Sequence, residues 1–196
     1  MKKEIKQSFI IALWAVAIIW IVFLVLGPIF GIFSESELND FGIIPRKQIG
    51  LKGIIFSPFL HSNWGHLIGN SISLFILTFL VAHFYKKLWI PTTIFSVLVG
   101  GLSVWLFARS ANHIGASGVI FSFIGFLLFS GIFRKSPKSI IIGIVVLLLY
   151  GGTLIYGIIP SRPGVSWEGH LFGAIAGIIA AYMYRNKYKQ GETVIK

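Results

Sequence analysis

The chain has 196 residues, 56% of them hydrophobic and 12% charged, with a mean hydropathy of +0.86 and a formal net charge of +11. A soluble domain is about 45–50% apolar and about 25% charged, so an ordinary water-soluble globule is excluded. Cysteine is absent, which excludes disulfides and a thiolate nucleophile.

No residue from Phe9 to Phe33 is charged. About 20 apolar residues cross a hydrocarbon core, so a first transmembrane helix is expected over 9–30. It starts soon after Lys2 and Lys3, as a secretory signal does. A cleaved signal has an apolar region of only about 7–15 residues. This run is longer and ends in Gly27-Pro28-Ile29-Phe30, so it reads as an uncleaved anchor. Residues 34–65 follow as a long connection. Connections beyond about 12–15 residues are usually functional or disordered. This one carries Phe41, Ile43, Ile44, Leu51, Ile54, Ile55, Phe56, Phe59 and Leu60. Such content fits an amphipathic loop lying in the outer interface better than a solvated linker. Further uncharged runs predict spans over 67–84, 88–108, 115–133, 139–159 and 169–185. With no soluble appendage in view, residues 1–196 read as one all-α integral-membrane domain of six transmembrane helices.

The basic residues sort by side. Lys2, Lys3, Lys6, Lys86, Lys87, Arg134, Lys135, Lys138, Arg185, Lys187, Lys189 and Lys196 fall on one side; Arg46, Lys47, Lys52, Arg109 and Arg162 fall on the other, with Glu35, Glu37, Asp40 and Glu168. The positive-inside rule places both termini in the cytoplasm. A nucleic-acid tail at 185–196 is the weaker reading of the same charge, so nucleic acid is not an expected partner.

Small residues allow close helix contacts in lipid. Gly169, Gly173, Gly177 and Ala181 form one stripe in the last span; Gly115, Gly118, Ser122 and Gly125 form another in the fourth. Two smooth stripes predict two helices face to face. Polar groups inside spans are costly and functional by default. They cluster at three helix starts: His61, His66 and Asn70 in "HSNWGHLIGN", His113 and Ser117 in "HIGASG", Glu168 and His170 in "WEGHLFG". The topology above puts all three at the outer leaflet. A serine and histidines without cysteine suit a hydroxyl nucleophile with an imidazole base. Metal binding by His61, His66, His113 and His170 is the rival, but H-x4-H is not the i, i+4 pairing of zinc hydrolases and no acidic ligand accompanies it. No metal or other cofactor is expected.

On the G-A-S-G of 115–118, the H-x4-H-x3-N of His61, His66 and Asn70, and the H-x2-G-x3-G of His170, Gly173 and Gly177, the chain resembles the rhomboid family of intramembrane serine proteases, in its compact six-helix bacterial type. The resemblance covers all six spans. It implies a rhomboid-like bundle in the plasma membrane, multi-pass, with its active site opening to the extracytoplasmic side. It further implies Ser117 as nucleophile, His170 as general base in a dyad without carboxylate, and His66 and Asn70 beside the oxyanion. The small Gly115, Ala116 and Gly118 would let a substrate backbone approach Ser117. Substrates would be single-span or other transmembrane proteins, with water as co-substrate and the bilayer as surroundings. The family's substrates are thought to enter near the fifth span, which here carries Gly143, Gly151, Gly152 and Gly157, with Pro160 and Pro163 after it. His61 and His113 are expected to line a wet cavity or to sit in the interface.

Two positions depart from the family pattern. A Trp-Arg pair common in the first loop is Lys52-Gly53 here, and the tyrosine that often packs on the catalytic histidine is Phe121. Two other readings compete. An inactive rhomboid-like scaffold binding transmembrane clients would usually lack the serine or the histidine. A proton-coupled transporter would show inverted repeats and broken midplane helices.

Overall fold

The structure, a computed structural model, describes residues 2–26, 40–160 and 164–187. Six helices carry it: α1 (Lys2–Leu26), α2 (Trp64–Phe84), α3 (Trp89–Phe107), α4 (Ser117–Arg134), α5 (Pro137–Ile158) and α6 (Trp167–Met183). The first five are long and apolar enough to cross a membrane. The sixth has 17 residues, about 26 Å at 1.5 Å per residue, close to the thickness of a hydrocarbon core.

Local chemistry fixes the helix starts. The Asn63 side chain accepts from the His66 N–H to open α2, Ser136 accepts from the Ser139 N–H ahead of Pro137 to open α5, and Ser166 accepts from the Gly169 N–H to open α6. These are favoured N-caps, with proline tolerated in a first turn that lacks N–H acceptors. A left-handed Lys135, φ 54°, closes α4 and turns the chain straight into α5.

The helices differ from the expected spans mainly at their ends. α1 begins at Lys2 rather than Phe9, because Lys2, Lys3 and Lys6 are exposed and continue the helix into a polar zone. Positions 27–30 and 34–39 lie outside the described residues. The fourth span starts at Ser117, not at 115: Gly115 has φ +114° and Ala116 is the cap. Gly115 is therefore not on the α4 stripe. Inside α3, Ser96–Gly100 runs as a π-helix between two α segments, a feature the hydropathy does not disclose.

α4 is the central post. Phe123, Ile124, Phe126 and Leu127 on it are buried. Its contact with α6 is a seam of backbone against backbone. A Cβ on Gly173 would overlap the Gly118 carbonyl, one on Gly177 the Ser122 carbonyl, and one on Gly125 would sit 2.5 Å from the Ala174 carbonyl oxygen. The facing of the two small-residue stripes is thus present from Gly118 onward. Packing and dispersion, which hold helices together in lipid, are greatest where backbones approach this closely. On the far side of the bundle, α1 packs on α2 through Trp20, which donates from its indole to Ser71 Oγ at 2.9 Å, and through Phe23 against Trp64.

The described part of the first loop folds rather than drifts. Gln48–Leu51 and Ser57–Phe59 are 3-10 turns flanking a single α turn, Gly53–Phe56. The segment docks on the C-terminal end of α3: Ile43 exchanges backbone hydrogen bonds with His113, and the Arg46 guanidinium donates to the Leu106 and Ala108 carbonyls. Ile49, Leu51, Ile55 and Phe56 stay exposed, the pattern of an element resting in an apolar interface. Lys52 and Gly53 have structural tasks of their own. The Lys52 ammonium lies 4.1 Å from the Phe41 ring centroid, and Gly53 packs against the Gly42 carbonyl where no Cβ fits.

Candidate active site

Ser117 is the first residue of α4. The first N–H groups of a helix precede any acceptor in their own ladder and sit at the positive end of the helix dipole, so the serine stands where developing negative charge is welcome. The turn before it needs glycine twice over. Gly115 is in the left-handed region, and a Cβ there would lie 2.6 Å from His66 Nε2 and 3.4 Å from Asn70 Nδ2. The same observation places both α2 side chains beside the serine turn. The Gly115 N–H is tied to the Ser57 carbonyl at 2.8 Å, which anchors that turn to the first loop.

His66 and Asn70 are four apart on α2 and share a face. Asn70 is buried and held by His61: its amide nitrogen lies 2.9 Å from His61 Nε2, while His61 Nδ1 lies 3.3 Å from the Phe59 carbonyl. A carbonyl only accepts, so His61 carries its proton on Nδ1 and accepts from Asn70 on Nε2. His61 therefore positions Asn70, and it does not line the cavity described below. Burial, then the neighbouring His66, pushes His61 down to about 4, which keeps this acceptor neutral across the physiological range.

His170 lies in the first turn of α6. Its Nδ1 is 2.8 Å from the Gly157 carbonyl of α5. Its ring stacks on Phe121 with centroids 4.1 Å apart and planes 3° from parallel. Two sides of the imidazole are thereby fixed, and Nε2 is left for other partners. Among the described residues no hydrogen bond joins Ser117 to His170; nucleophile–base contacts are often long without substrate and tighten when it binds. What the seam does hold is their neighbours: a Cβ on Gly118 would stand 3.5 Å from the Gly169 carbonyl.

The start of α6 is pinned from a third direction. Glu168 is 2% exposed and pairs with Arg109, 3.3 Å from its guanidinium. His113 Nε2 donates to the Arg109 carbonyl at 3.1 Å, and its Nδ1 accepts from Ser166 Oγ at 2.6 Å, the hydroxyl that caps α6. Burial is the main cause that lowers His113 below the usual histidine value. His113 and Ser166, with Ser57, Ser96 and Ser117, line a cavity of about 50 Å³ between the first loop, α3 and the starts of α4 and α6. Its volume suffices for a water, and these hydroxyls and the imidazole offer polar partners on otherwise apolar walls.

Sequence reasoning placed Ser117, His66, Asn70, His170 and Phe121 near one another but missed Gly157, Ser166 and Arg109. Gly157 acts here through its backbone carbonyl, and Arg109 through its carbonyl as well as its guanidinium; a carbonyl leaves no side-chain signature. Ser166 had one: a serine three before Gly169 at a helix start is an N-cap pattern.

Comparison with known proteins agrees with this architecture. The Rhomboid domain profile matches residues 50–187. An uncharacterised protein of Mycobacterium tuberculosis is 45% identical over 161 residues, covering 76% of this chain and 66% of its own length. One of Mycobacterium leprae is 41% identical over 159 residues, covering 76% and 62%. A protein of Acanthamoeba polyphaga mimivirus, named a rhomboid protein, is 30% identical over 175 residues, covering 84% of this chain and 89% of its own. The chain thus spans just under two thirds of the mycobacterial relatives it matches. With the profile covering most of the bundle, every helix from α2 to α6 included, this chain belongs to the rhomboid family.

Proposed function

We propose that the protein is an intramembrane serine endopeptidase that hydrolyses peptide bonds in or near transmembrane segments of other membrane proteins, with Ser117 as nucleophile and His170 as general base. The observation that carries this reading is the fixed His170 ring, with Nδ1 on a carbonyl and one face on Phe121, on a helix whose smooth side meets α4 beside Ser117. His170 Nε2 takes the Ser117 proton as the hydroxyl attacks the scissile carbonyl. The tetrahedral oxyanion is met by the Ser117 N–H, the Asn70 amide and His66, donors set before the charge develops. His170 then protonates the leaving amine, and water hydrolyses the acyl-enzyme by the same route. The small Gly115, Ala116 and Gly118 leave room for an extended substrate backbone. A helical substrate must unwind locally, since its scissile bond is otherwise tied up in the helix ladder.

The extracytoplasmic opening of the site and the plasma-membrane location belong to this proposal, as does the cytoplasmic placement of both termini. Twelve basic residues on the far side support them through the positive-inside rule. The test is cleavage of a single-span substrate by purified protein. Wild type cuts, and Ser117→Ala and His170→Ala do not. Equal cleavage by all three would end the proposal, and binding without cleavage by wild type would favour a scaffold.

A further inference from the structure

We infer that the Gly157 backbone carbonyl, in the last turn of α5, is the positioning group for the His170 base and stands where other serine hydrolases place a carboxylate. The inference rests on the Ser117–His170 reading above and deepens it.

A neutral imidazole has two tautomers, and only the one protonated on Nδ1 offers a lone pair on Nε2. In a triad the carboxylate selects that tautomer and stabilises the imidazolium that follows. Among the described residues no carboxylate is hydrogen-bonded to His170: Glu168, two residues before it, is buried and paired with Arg109. The 2.8 Å contact between His170 Nδ1 and the Gly157 carbonyl selects the same tautomer, because a carbonyl has no proton to give.

The position of that carbonyl supplies the second half of the carboxylate's work. α5 ends at Ile158. Carbonyls in the last turn lack an intrahelical N–H and carry the negative end of the helix dipole. The imidazolium formed during proton transfer therefore faces a helix C-terminus. Glycine is required for the approach. A Cβ at 157 would run into the Phe121 ring and stand 3.2 Å from His170 Nδ1.

The consequence concerns three helices. The nucleophile is on α4, the base on α6 and the positioning carbonyl on α5. The α4–α6 seam is closed backbone to backbone, but the end of α5 turns Ile155 and Tyr156 outward, 59% and 73% exposed. Displacement of the α5 end releases Nδ1 while α4 and α6 stay joined along their seam. The strength of the base is thus tied to the docking of the fifth helix.

The test reads the tautomer directly. In ¹⁵N-histidine-labelled protein in nanodiscs, the His170 signals are those lost in His170→Ala. The expected result is a single neutral tautomer protonated on Nδ1 in wild type and a mixture in Gly157→Ala. A wild-type mixture, or a proton on Nε2, overturns the inference. Should Gly157→Ala fail to fold, a second variant keeps every side chain: Ile158 is replaced by its α-hydroxy acid, which makes the Gly157 carbonyl an ester and a weaker acceptor. This ester is expected to lower kcat about tenfold with KM unchanged, as for a weakened hydrogen bond to a charged group. The same exchange at Tyr156 is expected to leave kcat unchanged. Full kcat with the ester at 158 overturns the inference. Failure of the protease reading is distinguishable, because it shows as no cleavage by wild type whatever the tautomer.

Discussion

The α4–α6 seam and the α5 helix lie side by side and obey opposite rules. Along the seam, glycines at 118, 125, 173 and 177 remove side chains until backbones touch, and α4 is buried over most of its length. Along α5, Ile141, Leu148, Leu149 and Tyr156 face outward, Leu148 at 80% exposure, and Gly152 meets nothing that a Cβ would disturb. Its Gly143, by contrast, rests on the Leu128 carbonyl of α4. The proposed nucleophile and base ride on the tightly joined pair, while the more exposed helix meets the base through Gly157. A cutting centre needs fixed chemistry, and an entrance for substrate needs an element with little to lose by moving. Under the proposed function the two neighbours would divide these requirements.

The sharpest way to break this contrast is to put a side chain into the seam. Gly177→Leu drives a branched side chain into the Ser122 carbonyl and the Phe126 N–H. Overpacking costs about 1–3 kcal/mol in ordinary cores, and against backbone the upper end is expected, read as loss of the folded fraction in detergent-titrated unfolding. An unchanged midpoint would show that the seam is not tight. Within the site, Asn70→Ala is expected to lower kcat about 10²–10³-fold with the fold intact, the usual effect of removing one oxyanion donor. A smaller loss is expected for His61→Ala, which leaves Asn70 in place without its anchor, and His61→Gln should restore part of it, since its amide oxygen can accept from Asn70. If His61→Ala loses more activity than Asn70→Ala, His61 has a role beyond positioning.

Acid should loosen the end of the bundle that carries His61 and His113. Burial holds His61 neutral down to about 4, against 6.5 for an ordinary histidine, and His113 is lowered for the same main reason. Between these values the unfolded chain binds a proton that the folded chain refuses. The stability contributed is complete above about pH 6.5 and is lost as pH falls toward about 4. Thermal unfolding in detergent across that window should show the decline, and His61→Asn should make it shallower; an equal slope in both would contradict it. The smallest effect is expected at Leu148→Ala on the outward face of α5, within about 0.5 kcal/mol.

Much of this was legible in the sequence because membranes impose simple rules. Charge-free runs gave the six helices, and small residues every three or four positions gave the facing of α4 and α6. His66 and Asn70 were readable as one helical face. The rest depends on groups without a sequence period. His61 reaches Asn70 across the Asn63-capped turn; the H-x4-H-x3-N spacing names the two residues but does not disclose their bond. Gly115 reads as part of the α4 stripe until its φ of +114° takes it out of the helix. Gly157 is one of four glycines on α5, and only the fold shows which of them meets the histidine.

The most direct test of the central claim is labelling by a fluorophosphonate, which needs an activated serine but no helical substrate. Wild-type protein in lipid should carry one adduct, mapped by mass spectrometry to Ser117, with a labelling rate at least about 10²-fold above that of His170→Ala, the usual contribution of a positioned general base. An adduct on another serine, or equal labelling of Ser117 when His170 is alanine, would contradict the account.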